Sequence, residues 1–360
     1  MSTTPAAIPY TLTRVGTVMS PEPGNPFEVE GVLNPATVRD AAGDVHLLPR
    51  LVAEGNVSRV GRARLLIEDG TPAGVERLGI VLAPERSWER ASDHAGVEDP
   101  RTTWIPSLGR YVMTYVAFGP LGPHPALAVS EDGEEWERLG PIQFAYEDGL
   151  NCDLNIYPNK DVVFFPEVVP DPSGRPSYAL LHRPMWELDH LVSSESPVLP
   201  TGTVDDRASI WISYIDADAA QRDIRALVRP HGHRFVAGPE YEWEQLKIGA
   251  GPAPLRVPEG WLVLHHGVSG HIEQGSFVPQ KNVRYAAGAI LLDPADPSRV
   301  LARTAEPLLE PGIGDEITGT VGNVVFPTAI EQIGAAMFVF YGMADTRIGV
   351  ARLDRADGAD

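Results

Sequence analysis

Cysteine is almost absent from this chain. Cys152 stands alone among 360 residues, which excludes an intrachain disulfide and any cysteine-rich zinc site. Positive charge is also scarce. The 29 Lys and Arg residues face 49 Asp and Glu, for a formal net charge of −20. Such a chain repels phosphate backbones and anionic membrane surfaces unless its basic residues are gathered locally, so neither nucleic acid nor a membrane is an expected partner. No apolar run approaches the roughly 20 residues of a membrane helix. Met1 to Tyr10 has neither the basic start nor the apolar run of a signal peptide, and the expected setting is the cytoplasm. Segments with a 3.6-residue apolar period are few. Gly249-Ala250-Gly251 lacks the continuation of a dinucleotide or P-loop fingerprint, no G-x-S-x-G elbow occurs, and nothing around Cys152 marks it as a nucleophile.

Turn formers are abundant. Gly (35) and Pro (34) make up about a fifth of the chain and lie scattered between short apolar runs, a pattern of many strands and turns. Candidate strands are Val45–Leu48, Tyr111–Phe118, Ala126–Val129, Asp161–Phe165, Tyr178–His182, Ser209–Tyr214, Trp261–Gly267, Ala287–Leu292 and Met337–Tyr341. Ala217 to Val228 reads as a short helix or an outer strand, and the N-terminal tail has room for another helix. The chain also echoes itself. Ser58–Leu65 (SRVGRARL) resembles Thr346–Leu353 (TRIGVARL), each with an Asp-Gly a few residues on, the second being Asp357-Gly358. Looser echoes are His124–Gly133, Ala208–Asp218 and Tyr285–Pro297, each a strand rich in small residues that ends in an acidic turn. Five echoes at long spacing predict an all-β, five-bladed β-propeller. Residues 31–355 would form one domain, and residues 1–30 a tail or a blade-packing extension. The alternative is chance similarity among β-rich segments.

In a propeller, polar residues at inner strand ends meet although they are far apart in sequence. Three sets qualify. Glu98-Asp99-Pro100-Arg101 places two acids and a cation around a proline; a carboxyl in a partly dry site can serve as a general acid, while the bland alternative is a surface turn. Lys160, Arg183 and Lys247 sit in otherwise apolar surroundings. Together they suit phosphate; apart they are ordinary salt bridges. Among the histidines, His182, His265 and His266 lie in or beside strands, and His266 could donate to a substrate. His231 and His233 read as a solvated loop, since a metal would need a third ligand. No metal is expected. Trp104, Trp186, Trp211 and Trp261 read as packing residues, with one or two available to stack on a sugar ring.

These segments, taken in order, resemble glycoside hydrolase family 130, the β-mannoside phosphorylases and related glycosidases. The matching segments are Asn34-Pro35-Ala36, Ser58-Arg59-Val60-Gly61, Glu98-Asp99-Pro100-Arg101, Asn159-Lys160-Asp161 with Phe165-Pro166-Glu167, and His182-Arg183-Pro184-Met185. They continue through Lys247–Pro252, His266-Gly267-Val268, Tyr285 with Gly288 and Leu291-Leu292-Asp293, Asn323–Thr328, and Tyr341-Gly342 with Ala344-Asp345. The resemblance also implies a five-bladed propeller. It makes Asp99 the catalytic acid, passing its proton to the glycosidic oxygen through the mannose 3-hydroxyl. Phosphate attacks the opposite face of the anomeric carbon, with inversion, and gives α-mannose 1-phosphate. Lys160, Arg183 and Lys247 match phosphate-binding positions, with His266 and Tyr285 near the phosphate. Asn34, Arg59 and Asp345 match positions that hold the cleaved mannose. Inorganic phosphate is then the co-substrate, no organic cofactor is implied, and a homo-oligomer is left open. The sequence departs from the family at Lys160, where arginine is frequent, and in longer segments after Phe165 and Gly267. The expected substrate is a short manno-oligosaccharide or mannosyl-glucose. A glycosidase using Glu167 or Asp345 as base, and a non-catalytic sugar-binding propeller, are the alternatives.

Overall fold

The structure is a computed structural model that describes residues 8–186, 198–273 and 280–356. It is an all-β protein whose strands fall into five antiparallel runs. Strand β1 (Tyr10–Met19) is followed by run one: β2 (Gly31–Arg39), β3 (Val45–Ala53), β4 (Val57–Glu68) and β5 (Thr71–Leu82). Run two is β6 (Ala95–Ile105), β7 (Arg110–Gly119), β8 (Gly122–Ser130) and β9 (Glu137–Pro141). Run three is β10 (Asn159–Phe164), the short β11 (Val169–Pro170), β12 (Pro176–Pro184), β13 (Ile210–Asp216) and β14 (His231–Ala237). Run four is β15 (Lys247–Ala250), the short β16 (Leu255–Val257), β17 (Gly260–His271), β18 (Asn282–Leu292) and β19 (Val300–Arg303). Run five is β20 (Val325–Ile333), β21 (Ala336–Met343) and β22 (Arg347–Arg355), and its fourth strand is β1 from the other end of the chain. Runs one and two are joined by a two-pair parallel bridge, Val57 to Ala95 and Ser58 to Gly96. Gly96 permits it: at φ +124°, an added Cβ would lie 2.1 Å from the Ser58 carbonyl oxygen.

All five sequence echoes fall on the same position, the third strand of a run: β4, β8, β13, β18 and β22. Strands β8, β13 and β18 are buried on both faces over most of their length, while β4 and β22 turn arginines outward. Their alternate side chains serve two neighbours. In β13, Trp211 and Ile215 enter the cluster shared with run two, while Ile210, Ile212 and Tyr214 enter the cluster shared with run four. Five apolar clusters result, one between each run and the next, and the last lies between runs five and one.

One local alternative is resolved and two local expectations change. Ala217 to Val228 forms a short helix, α1 (Ala217–Arg222), and a 3-10 turn, Ile224–Val228, capped by Asp216 and Asp223. The N-terminal segment is the strand β1, not a helix, in keeping with its Thr, Val and Tyr content. His231 to Ala237 is strand β14 rather than a solvated loop, and His233 is buried. The second Asp-Gly, at Asp357, lies outside the described residues. Among the described residues no helix is long and apolar enough to cross a membrane.

Candidate active site

The first strands of runs one, two and three each carry an irregularity in pairing: Leu33 to Ala36, Glu98 to Arg101, and Lys160 to Val163. Each holds a non-glycine residue at positive φ, namely Asn34 (43°), Asp99 (45°) and Asp161 (55°). Asp345, in the turn after β21, has φ 48°. Asn and Asp tolerate this conformation better than other side chains. Bulges of this kind re-aim side chains, and strain of about 1–3 kcal/mol at each persists only where packing enforces it. All four residues reach the wall of one cavity of about 630 Å³.

One wall is built around Asp99. Its Oδ1 accepts from Asn34 Nδ2 at 2.8 Å and from Arg50 Nη1 at 3.1 Å. Arg50 also donates to Glu98 Oε1 at 2.8 Å, Ser58 Oγ at 2.9 Å and Asn56 Oδ1 at 3.1 Å. Lys160 Nζ lies 3.5 Å from Glu98 Oε2. Asn34 fits because Gly342 faces it; a Cβ there would sit 2.0 Å from Asn34 Oδ1. Burial pushes the Asp99 pKa up, but Arg50, Lys160, Arg101 and the Asn34 hydrogen bond outweigh it and hold it at about 2. Asp345 moves the other way. Burial, with the charges of Asp99 and Glu98, raises it to about 6 against the pull of Arg50 and Lys160.

The other wall is cationic and organised by Asp161. Arg183 Nε pairs with Asp161 Oδ2 at 2.8 Å, and Arg101 Nη2 lies 3.8 Å from Asp161 Oδ1. His266 Nε2 approaches Asp161 Oδ2 to 3.5 Å. Gly249 makes room for this cluster, since a Cβ would lie 2.1 Å from Asp161 Oδ2 and 2.6 Å from His266 Cε1. Lys247 Nζ stands 5.8 Å from the centre of the Tyr285 ring, and the His266 ring is 4.3 Å from that of Phe326. Arg183 Nη1 and Arg101 Nη2 are buried yet make no hydrogen bond to the described residues, nor does either His266 nitrogen. Burial, then the charges of Arg183, Arg101 and Lys247, push the His266 pKa well below its ordinary value, so the ring is neutral. Burial raises the Tyr285 pKa to about 12.

Seven of the nine residues expected at the site line the cavity: Asn34, Asp99, Lys160, Arg183, Lys247, Tyr285 and Asp345. His266 sits one layer behind the wall, fully buried. Arg59 is not on the wall; its guanidinium lies over the Phe27 ring at 4.4 Å. Glu167 is exposed and off the wall. None of the four tryptophans singled out lines the cavity; its aromatic surfaces are Phe118, Tyr285 and Phe326. Arg50 and Asp161 were missed. The available signal was a charge inside an apolar strand, Arg50 in HLLPRLV and Asp161 in NKDVVFF.

A cavity that sets a hydrogen-bonded carboxylate opposite the cations Lys160, Arg183 and Lys247 suits acid-assisted transfer to an anion. The comparisons agree. The family described as beta-1,4-mannooligosaccharide phosphorylase matches residues 227–357. A β-1,2-mannobiose phosphorylase of Thermoanaerobacter sp. (strain X514) is 30% identical over 370 residues, covering 96% of this chain and 98% of the relative. A 1,2-β-oligomannan phosphorylase of the same organism is 29% identical over 354 residues, covering 94% and 95%. The solved β-1,2-mannobiose phosphorylase from Listeria innocua superposes with a TM-score of 0.68 at 25% identity, covering 96% of this chain and 97% of that one. The chain belongs to glycoside hydrolase family 130.

Proposed function

We propose that this protein is an inverting glycoside phosphorylase that cleaves β-mannosides with inorganic phosphate and releases α-mannose 1-phosphate. The observation that carries this reading is the convergence of three cations, Lys160, Arg183 and Lys247, on one cavity wall, with the buried Arg183 Nη1 making no hydrogen bond to the described residues. Buried cationic donors need an acceptor, and a phosphate oxygen is one. Arg183, Lys160 and Lys247 bind the phosphate, with Tyr285 and the buried His266 shaping its pocket. Asn34 and Asp345 hold the mannose that is cleaved. Arg59 lies off the wall with its guanidinium over the Phe27 ring, so it would reach the mannose only by swinging away from Phe27.

The reaction breaks the bond between the anomeric carbon and the glycosidic oxygen and forms one between that carbon and a phosphate oxygen. The leaving oxygen takes a proton from Asp99 by way of the mannose 3-hydroxyl. Phosphate is already anionic and needs no second carboxylate as base, unlike water in the inverting hydrolase scheme. Asp99 is ionised in the unliganded site and gains its proton as the complex forms. The phosphate charge offsets Lys160, and the sugar displaces water; both raise a carboxylic acid's pKa.

The relatives matched along their length are named for β-1,2 bonds, which favours β-1,2-mannobiose or a short β-1,2-oligomannan over mannosyl-glucose. The scaffold is a single five-bladed β-propeller over residues 31–355, with residues 1–30 closing it. The five inter-run clusters and the pairing of β1 with β22 support that reading. A phosphate co-substrate and a sugar phosphate product suit the cytoplasm. The test is to incubate β-1,2-mannobiose with and without phosphate and follow the products by phosphorus and proton NMR. Mannose 1-phosphate that forms only with phosphate is expected. Free mannose released at the same rate without phosphate would make the protein a glycosidase.

A further inference from the structure

Run three holds a buried polar chain that takes no direct part in the reaction above. The backbone N–H of Arg183 donates to Asn159 Oδ1 at 3.1 Å. The other half of that amide, Nδ2, meets His182 Nδ1 at 3.0 Å, and His182 Nε2 meets Ser213 Oγ at 2.8 Å. Ser213 Oγ meets His233 Nδ1 at 2.8 Å, and His233 Nε2 meets the Ala145 carbonyl oxygen at 2.8 Å. Asn159, His182, Ser213 and His233 are each at most 4% exposed. They come from β10, β12, β13 and β14, so the chain crosses the whole run.

Its two ends fix its direction. The Ala145 carbonyl can only accept, so His233 carries its proton on Nε2. Neutral His233 then accepts at Nδ1 from the Ser213 hydroxyl, which in turn accepts from His182 Nε2–H. His182 Nδ1 accepts from the Asn159 NH₂, and that leaves Asn159 Oδ1 facing the Arg183 N–H, which can only donate. With both histidines neutral, this proton order satisfies every member. A proton added to His182 would set an N–H against the Asn159 NH₂. Turning the amide over would then set the NH₂ against the Arg183 N–H. Burial pushes the pKa of both histidines down, in keeping with neutral rings. The inward end lies where the site needs rigidity: Asn159 immediately precedes Lys160, and Lys160 pairs with Arg183 across β10 and β12.

We infer that Asn159, His182, Ser213 and His233 are positioning residues for the phosphate-binding cations, a proton-ordered chain that anchors the Arg183 backbone and, through Asn159, the strand carrying Lys160. The inference rests on the phosphorylase reading. A buried polar chain is worth its cost only when every member is satisfied, so one cut should loosen the anchor.

The test combines nitrogen-15 NMR of the histidine rings with steady-state kinetics on the full chain. In the unaltered protein at pH 7, His182 and His233 should both appear as neutral Nε2–H tautomers. Ser213→Ala should raise the KM for phosphate roughly fivefold to tenfold, the scale of one lost hydrogen bond to a positioned charge. The KM for the mannoside should stay within about twofold, and Ser213→Thr should restore most of the loss. If Ser213→Ala does not fold, Asn159→Asp keeps the volume and removes the NH₂ donor. One of the two rings should then become doubly protonated, with a raised phosphate KM. A charged or Nδ1–H ring in the unaltered protein overturns the chain. An unchanged phosphate KM in an active Ser213→Ala or Asn159→Asp variant overturns its positioning role alone. Absence of phosphorolysis by the unaltered protein overturns the phosphorylase reading, and the NMR result still decides the proton order.

Discussion

The two walls of the cavity are finished differently. On the carboxylate wall Arg50 spends its guanidinium on Asp99, Glu98, Ser58 and Asn56, and Asp99 Oδ1 receives two donors. On the cationic wall Asp161 neutralises part of the charge, yet the buried Arg183 Nη1 makes no hydrogen bond to the described residues. Saturation fixes a geometry, whereas a buried donor without an acceptor favours a ligand that supplies one. Lys160 belongs to both walls, 3.5 Å from Glu98 and in register with Arg183. The proposed function gives one wall to sugar and proton and the other to the anion.

The sharpest way to break this contrast is at Asp99. Asp99→Asn should lower phosphorolysis roughly 10²–10⁴-fold, the usual range for a general acid, while calorimetry still detects mannoside binding. Full turnover would remove Asp99 from the proton path. Next is Arg50→Met, which leaves Glu98 and Asp99 facing each other without their shared cation. Breaking a buried pair from one side costs about 3–5 kcal/mol, so the thermal midpoint should fall by many degrees, with part of it regained in Arg50→Lys. An unchanged midpoint would mean that the carboxylate wall is not held by Arg50.

Gly249→Ala tests the cationic wall from behind. The added methyl would displace Asp161 or His266, at about 1–3 kcal/mol as for other overpacked sites. The phosphate KM should rise several-fold with the mannoside KM nearly constant, and equal changes in both would blur the division between the walls. The smallest effect concerns Asp345. Its pKa in the fold is about 6 against an ordinary 3.8. The stabilisation that comes with its proton is therefore complete below 3.8 and lost as pH rises through about 6. Asp345→Asn escapes that loss. Its unfolding free energy should exceed that of the unaltered protein by about 1–2 kcal/mol at pH 7 and by little at pH 4, with activity reduced. A pH-independent difference would contradict the raised pKa.

Much of the fold was legible from composition and repetition. Every candidate strand lies in or overlaps a strand, and the echoes mark equivalent third strands because those strands face two apolar interfaces and carry the same small residues. The charged residues of the site were legible where they interrupt such runs within two residues of a proline or glycine, as at Asp99, Lys160 and Lys247. Arg50 was not, because in a strand of period two nothing local tells a buried arginine from a solvated one; its partners Glu98 and Asp99 are nearly 50 residues away. Arg59 shows the converse. It lies in a strong repeat, but its strand turns it toward Phe27 instead of the cavity. His233 looked like loop because of the preceding Pro230 and Gly232, yet its ring completes a buried chain.

The most direct test of the division between the walls is calorimetric titration of inorganic phosphate into the unaltered protein, Arg183→Ala and Asp99→Asn. The account predicts a single saturable site in the unaltered protein, kept in Asp99→Asn and weakened at least about tenfold in Arg183→Ala, as for loss of a charge-assisted hydrogen bond. Phosphate binding that survives Arg183→Ala unchanged would contradict it.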